Sequence, residues 1–296
     1  MNVVVAGGTG FVGKALTARL HNAGHRITLV SRSVREGAIS WSDEAGLRSA
    51  VERADAVVNL CGASVAGKRW DASYKAELRD SRLIPTKALA VLKPSVLVQA
   101  SAVGWYGDGG DRLLTESDPA ANDFFGRLCA DWEAAASEGP GRVCFLRLGQ
   151  VLGRGGGSLE AMLNPPMLPV SPWKLGLGGP LGSGRQWVPW IHLDDAVGMF
   201  VTALEDAAWN GAVNAVAPHN VRAEEFARAL GRVLDRPSMV PTPAFALRLM
   251  LGEFTDFLLA SQRVGPVRAL ALGYEFRFAD LATALTDLLG PSSATR

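Results

Sequence analysis

The stretch VVVAGGTGFVGKAL, residues 3–16, sets Gly7, Gly10 and Gly13 between an apolar run and an amphipathic one. A G-x-x-G-x-x-G turn between strand and helix is suited to holding a dinucleotide. The glycines allow a tight turn, close approach of backbone to a pyrophosphate, and close packing of helix on strand, while free N–H groups at the helix start face the phosphates. A glycine-rich turn without a ligand is the alternative, and the flanking strand and helix weigh against it. The second apolar run ends in ITLVSRS, which supplies Ser31 and Arg32 with no carboxylate before Glu36. An acid there would accept hydrogen bonds from ribose hydroxyls, whereas a guanidinium suits a 2′-phosphate, so NADP(H) is expected over NAD(H). The alternative for Arg32 is a solvated loop arginine.

Other reactive patterns are missing. There is no G-x-S-x-G elbow, and His21, His25, His192 and His219 form no H-E-x-x-H or related spacing, so no metal site is expected. Cys61, Cys129 and Cys144 are odd in number and unevenly spaced, which suits a reducing compartment better than a disulfide framework. In His192-Leu-Asp-Asp, Asp194 or Asp195 is expected to cap the helix that begins there. Thirty basic residues against twenty-nine acidic ones leave a net charge of +1, so no global field draws nucleic acid or an anionic membrane. With no leader pattern and no apolar run near the roughly 18 residues of a membrane span, a soluble, cytoplasmic protein is expected.

These residues need a scaffold, and the hydropathy pattern describes one. Strands are expected near 2–6, 26–31, 55–60, 95–101 and 142–148, and helices near 11–23, 71–92 and 122–137, the last opening at Asn122 or Asp123. This alternation predicts an α/β fold with a Rossmann doubly wound parallel sheet, assigned to residues 1–150. Beyond it, GRGGGSLEAMLNPPMLPVSPWKLGLGGPLGSG reads as a long surface loop. Helical patterns near 194–206, 222–234 and 242–260 predict a smaller C-terminal substrate lobe over 151–296, and the chain is free to cross back to the sheet.

GGTGFVG, SAVGWYG, LRLGQVLG and WIHLDDAV together resemble the extended short-chain dehydrogenase/reductases, also called the NAD-dependent epimerase/dehydratase group. KRWDASYKAELRDSR, GLGGPLGSGRQWVPWIHLDD and the tail from Gly252 through LLASQRV to LGYEFRF are similar to an atypical, YfcH-like branch with a small C-terminal domain, here about 245–296. The likeness covers nearly the whole chain. Between Met162 and Leu175, NPPMLPVSPWK is longer than that branch leads one to expect. The resemblance implies that Thr9, Gly10, Phe11 and Val12 line the pyrophosphate, and that Ser31 and Arg32 meet the adenosine phosphate. It also implies that Leu60 and Cys61 meet the adenine or ribose, that Glu77 and Arg82 reach toward the cofactor from one helix, and that Val151 lies beside the nicotinamide. For Glu77 and Arg82 a solvated, charged helix surface is the alternative.

The same resemblance implies catalysis by a tyrosine, a lysine four residues later and a nearby hydroxyl. Four residues beyond Tyr74, Tyr106 and Tyr274 stand Leu78, Gly110 and Phe278. Alignment of FFGRLCADWEAAA through Glu133 puts Phe125 and Cys129 in the tyrosine and lysine places. Cys129 reads as a buried small apolar residue. The remaining catalytic candidates are Ser101, at the end of the fourth strand, to bond a substrate carbonyl, and Tyr106, to replace the phenol; a polar strand end and aromatic packing are their alternatives. Two functions stay open: an NADP(H)-dependent oxidoreductase or epimerase acting on a small carbonyl or sugar-like substrate, and an NADP(H)-holding regulatory module without turnover.

Overall fold

Val3, Val4 and Val5, each no more than 2% exposed, form the centre of β1 (Asn2–Ala6), because a parallel strand covered on both faces buries nearly all its side chains. The structure, a computed structural model, describes residues 1–32, 37–165 and 170–290. The chain continues through α1 (Phe11–Asn22), β2 (Arg26–Ser31), β3 (Ala38–Ser40), α2 (Glu44–Glu52), β4 (Ala56–Asn59), α3 (Ala72–Ala90), β5 (Val96–Ala102), β6 (Leu113–Leu114), α4 (Phe124–Ser137) and β7 (Arg142–Leu148). Then follow β8 (Gln150–Gly153), α5 (Gly157–Leu163), β9 (Trp187–Val188), β10 (Trp190–His192), α6 (Leu193–Glu205), β11 (Gly211–Ala215), β12 (Val221–Arg222) and α7 (Ala223–Leu234). The last described elements are α8 (Ala244–Leu251), α9 (Phe254–Leu259), β13 (Arg263–Val264), α10 (Val267–Ala271) and α11 (Leu281–Leu289).

Seven strands make one sheet in the order β11-β7-β5-β4-β1-β2-β3, with every pairing parallel. The direction of winding reverses between β1 and β4, which opens a crevice at their C-terminal ends. On one face Leu16 and Leu20 of α1 meet Phe200 and Ala203 of α6. The other face is covered by Leu47 and Val51 of α2 and Leu89 of α3. A second core joins Phe226 and Leu230 of α7 to Leu281 and Leu285 of α11 and forms the heart of the smaller lobe.

All five expected strands and the first three expected helices are present; β3 and β11 complete the sheet. Because β11 crosses back to pair with β7, the sheet is not confined to residues 1–150. The stretch read as one long loop after residue 153 contains α5, and its residues 166–169 lie outside the described residues, as do Ser33 and Glu36. The expected helix over 242–260 is two helices, because Gly252 between them takes φ +62°. α4 opens at Asp123, whose carboxylate accepts from Gly126 N at 2.7 Å. At α6 the expectation fails: the cap is His192, whose Nδ1 accepts from Asp194 N at 3.0 Å. Asp195 instead accepts from the backbone N–H groups of Arg277 and Phe278, and Asp194 pairs with Arg277 at 2.8 Å. The buried carboxylate serves the tail because two extended backbone donors reach it there.

Candidate functional site

The glycine turn sits at the crevice. Gly7 has φ +80°, and a Cβ on it would lie 2.8 Å from the carbonyl carbon of Leu60, so the turn lies directly against the exit of β4. Asn59 steadies that exit by accepting from Cys61 N at 3.1 Å while its amide donates to Thr86 and Gln99. Gly13 lies against the turn itself, and a Cβ there would overlap Gly7 O and come 2.7 Å from Gly8 Cα. Gly10 differs: within 4 Å its added Cβ would meet Gly7 O alone, at 3.3 Å. α1 starts at Gly10 without a side-chain cap and without an acid in its first turn, so its first N–H donors are left for an anion.

Arg32 is exposed at the end of β2, and Ser31 beside it is buried. Burial pushes the Cys61 thiol up to about 12, with the nearby Arg32 charge pulling the other way. The structure thus brings Gly7, Thr9, Gly10, Val12, Gly13, Ser31, Arg32, Leu60 and Cys61 to the strand ends around one crevice. The Phe11 side chain turns elsewhere. Its ring is seated on Gly153, Gly156 and Gly157, where any added Cβ would come within 2.6 Å of it. Val151 pairs with Ile191 between β8 and β10 and is buried in the main core.

α3 separates its two candidates. Glu77 is half-exposed and paired with Lys68 at 2.8 Å. Arg82 is buried under Gly62, donates to Leu78 O and Ala63 O, and leaves its Nε without a hydrogen-bond partner among the described residues. Burial without a carboxylate beside it holds this guanidinium below its usual range. An orphaned buried donor, an uncapped helix start and the clear space at Gly10 are chemistry that fits an anionic dinucleotide.

Both catalytic candidates are buried, with their hydroxyls bonded to other side chains. Ser101 is 2% exposed and donates to Glu133 Oε1 at 2.6 Å. Alternation along β5 points its side chain toward α4. Ala102, the next residue, packs against the cluster that contains Phe125 and Cys129. Tyr106 donates to Asn214 Oδ1 at 2.7 Å and accepts from Arg147 Nη1 at 3.0 Å; burial pushes its phenol up to about 12. Arg147 also grips Glu133 through Nε and Nη2, at 2.8 and 2.9 Å, and lies 3.7 Å from the centroid of the Trp105 ring. Sequence reasoning missed Glu133, Arg147 and Asn214 as a unit. The available signal was polar residues at the ends of the buried strands LRLG and AVNA. Glu133→Ala leaves Arg147 buried and unpaired, and is expected to cost about 3–5 kcal/mol in chemical denaturation.

Where the alignment puts the missing dyad, the structure has an aromatic cluster. Phe125 stacks on Trp70 with centroids 6.0 Å apart and meets Phe257 at 4.8 Å; Phe254 reaches Trp70 at 5.4 Å. Cys129, fully buried beneath, has its thiol pushed up to about 12 by desolvation. Phe254 and Phe257 come from α9, which is tied down by a Lys75–Glu253 ion pair and a bridge between Trp70 and Gly252.

Such a sheet, with a glycine turn at its switch point, defines a doubly wound dinucleotide-binding protein. Residues 3–215 match the NAD dependent epimerase/dehydratase family, and residues 242–288 match a domain of unknown function, DUF1731. The chain belongs to the NAD dependent epimerase/dehydratase family. It is 40% identical to mouse epimerase family protein SDR39U1 over 98% of this chain and 100% of that one. It is 35% identical to epimerase family protein YfhF of Bacillus subtilis over 98% of each. The crystal structure of human SDR39U1 with NADPH superposes with a TM-score of 0.89 at 37% identity, covering 98% of this chain and 99% of that one. Among the described residues no helix is long and apolar enough to cross a membrane.

Proposed function

We propose that this chain is an NADP(H)-binding member of its family whose acid/base turnover of small carbonyl or sugar-like substrates has been reduced to a low level. One observation carries the reading: Phe125 and Cys129, where the alignment puts the dyad, lie with Ala102 in one apolar cluster, while the hydroxyls of Ser101 and Tyr106 are committed to Glu133, Arg147 and Asn214. The turn at Gly7–Gly13 would hold the pyrophosphate, Ser31 and Arg32 the adenosine phosphate, Leu60 and Cys61 the adenine or ribose. Arg82 would place its free Nε toward the cofactor; Glu77, drawn off by Lys68, would assist from the rim. NADP(H), when bound, supplies the hydride chemistry. The chain's own part is to orient the cofactor and to keep water from the ring cluster. The human relative crystallised with NADPH supports the choice of cofactor.

The regulatory-module reading has its own support in the aromatic rings that α9 lays over the dyad positions. Calorimetry separates the parts of the proposal. NADPH is expected to bind at least about tenfold more tightly than NADH, equivalent to about 1.4 kcal/mol. Arg32→Ala should bring the two affinities together. Equal affinities in the unmodified protein would remove the 2′-phosphate assignment.

A further inference from the structure

The cofactor crevice leaves the segments PLGSGRQW and LLASQRV without a role, and the fold brings them together. With the turn after β5 and the start of α7 they enclose a cleft of about 640 Å³, whose lining includes Asp111, Ser183, Arg185, Arg222, Glu224 and Leu259. None of the cofactor-side residues is part of that lining. Hydrogen bonds tie the walls to one another. Trp187 N donates to Ser261 Oγ at 3.2 Å, and that hydroxyl donates to Gly110 O at 2.7 Å. Ala223 N and Glu224 N donate to Gln186 O and Gly184 O, each at 2.9 Å. A cleft of this size with bonded walls is already shaped for a small molecule.

Its charged groups indicate the kind of molecule. Asp111 accepts from Arg222 Nη2 at 3.0 Å and from Trp187 Nε1 at 2.9 Å, and Glu224 pairs with Arg228 at 2.7 Å. Nearby, Asp108 accepts from Ser261 N and Gly110 N, both at 3.1 Å, and Glu225 accepts from Arg222 N at 2.7 Å. Each of these acids is engaged. The Arg222 guanidinium lies 4.2 Å from the centroid of the Trp187 ring and donates to Arg185 O. Arg263, outside the lining, lies over the same ring at 5.0 Å. Arg185 differs: it is exposed, and its guanidinium has no hydrogen-bond or ion-pair partner among the described residues. On an open surface such an arginine would be merely solvated. Inside this cleft it leaves one positive charge and a planar fork of N–H donors for a ligand. A carboxylate matches that fork in shape and in charge. A phosphate or diphosphate would bring a second negative charge up against Asp111 and Glu224.

We propose that this cleft binds a small carboxylic acid, with its carboxylate seated on the Arg185 guanidinium. The Ser183 hydroxyl, which accepts from Arg185 N at 3.2 Å, keeps its own proton for a carboxylate oxygen. Leu259 gives the ligand an apolar wall and belongs to α9, whose Phe257 packs on Phe125 at 4.8 Å. The acid would therefore lie against the helix that covers the dyad positions. Binding there does not require turnover.

NMR titration of the full chain with levulinate, a keto acid, and with its neutral methyl ester tests it. The Arg185 Nε–H signal, assigned by its loss in Arg185→Gln, is expected to shift saturably with a Kd of about 1–10 mM for levulinate, while the ester leaves it in place. Arg185→Gln should weaken levulinate by at least about tenfold, read on the Trp187 Nε1–H signal, and leave NADPH affinity as it was. If that variant fails to fold, Arg185→Lys, which keeps the charge without the fork, supplies the comparison. No saturation by about 100 mM, an equal response to the ester, or undiminished levulinate binding in the folded variant overturns the proposal. So does pyrophosphate that binds at Arg185 more tightly than levulinate, because the cleft would then be built for a diphosphate. The titration reads the same with and without NADPH, so a protein that fails to bind NADPH would overturn the cofactor assignment alone.

Discussion

NADPH oxidation with a panel of aldehydes, ketones and nucleotide sugars is expected to be slower by about 10²–10⁴ than in relatives that keep the dyad, which is the range general acid/base catalysis contributes. In those enzymes a lysine ammonium lowers the tyrosine pKa toward the working pH. Here Phe125 has no proton to give, and the Cys129 thiol, with burial pushing it up to about 12, carries no charge to tune one. The structure also revises which variants should matter. Because Ser101 donates into Glu133 and Tyr106 into Asn214, any residual rate should be nearly the same in Ser101→Ala and Tyr106→Phe, once each is checked for folding. Fast turnover lost with Tyr106→Phe would instead make that phenol the replacement acid, and would mean that Arg147 and Asn214 release it in the working state.

Gly10→Val should abolish dinucleotide binding while the fold survives. The separation of the two effects comes from the surroundings of each glycine. At Gly10 a Cβ meets only Gly7 O, at 3.3 Å, so the added isopropyl group extends into the space where backbone and pyrophosphate would meet. At Gly13 the added carbon runs into Gly7 and Gly8, so even Gly13→Ala should loosen the packing of α1 on the turn and lower stability. Calorimetry with NADPH, paired with thermal unfolding, distinguishes them. Undiminished NADPH binding by a folded Gly10→Val protein would show that the turn is not the phosphate site.

The sheet and the glycine turn could be read from the sequence because their signals are local: VVVAGGTG carries strand, turn and helix start within a few residues. Ser31, Arg32, Leu60 and Cys61 could be placed for the same reason, since each stands at or just past the end of a strand. The catalytic side could not be read this way. Whether Ser101 or Ala102 faces the site depends on the phase of β5, and a one-residue step exchanges the two faces. The partners that capture Ser101 and Tyr106 are 32 and 108 residues away, a separation that spacing cannot reveal. His192 deceived for a related reason: Asp194 and Asp195 have the composition of a cap, but their distant partners in the tail, Arg277 and Phe278, claim them first. The break at Gly252 and the short helix α5 were missed because a glycine within an apolar run, or a helix of seven residues within a glycine-rich one, gives little periodic signal.

The seat of Phe11 on Gly153, Gly156 and Gly157 makes two distant stretches of sequence a single inheritable unit. A side chain larger than hydrogen at any of the three glycines has nowhere to go while the ring is there, and a small residue at position 11 leaves a hollow that only bulk at 153–157 can refill. Grafting the opening fingerprint of another dinucleotide-binding protein onto this scaffold should therefore succeed only when the recipient's 153–157 segment is exchanged with it.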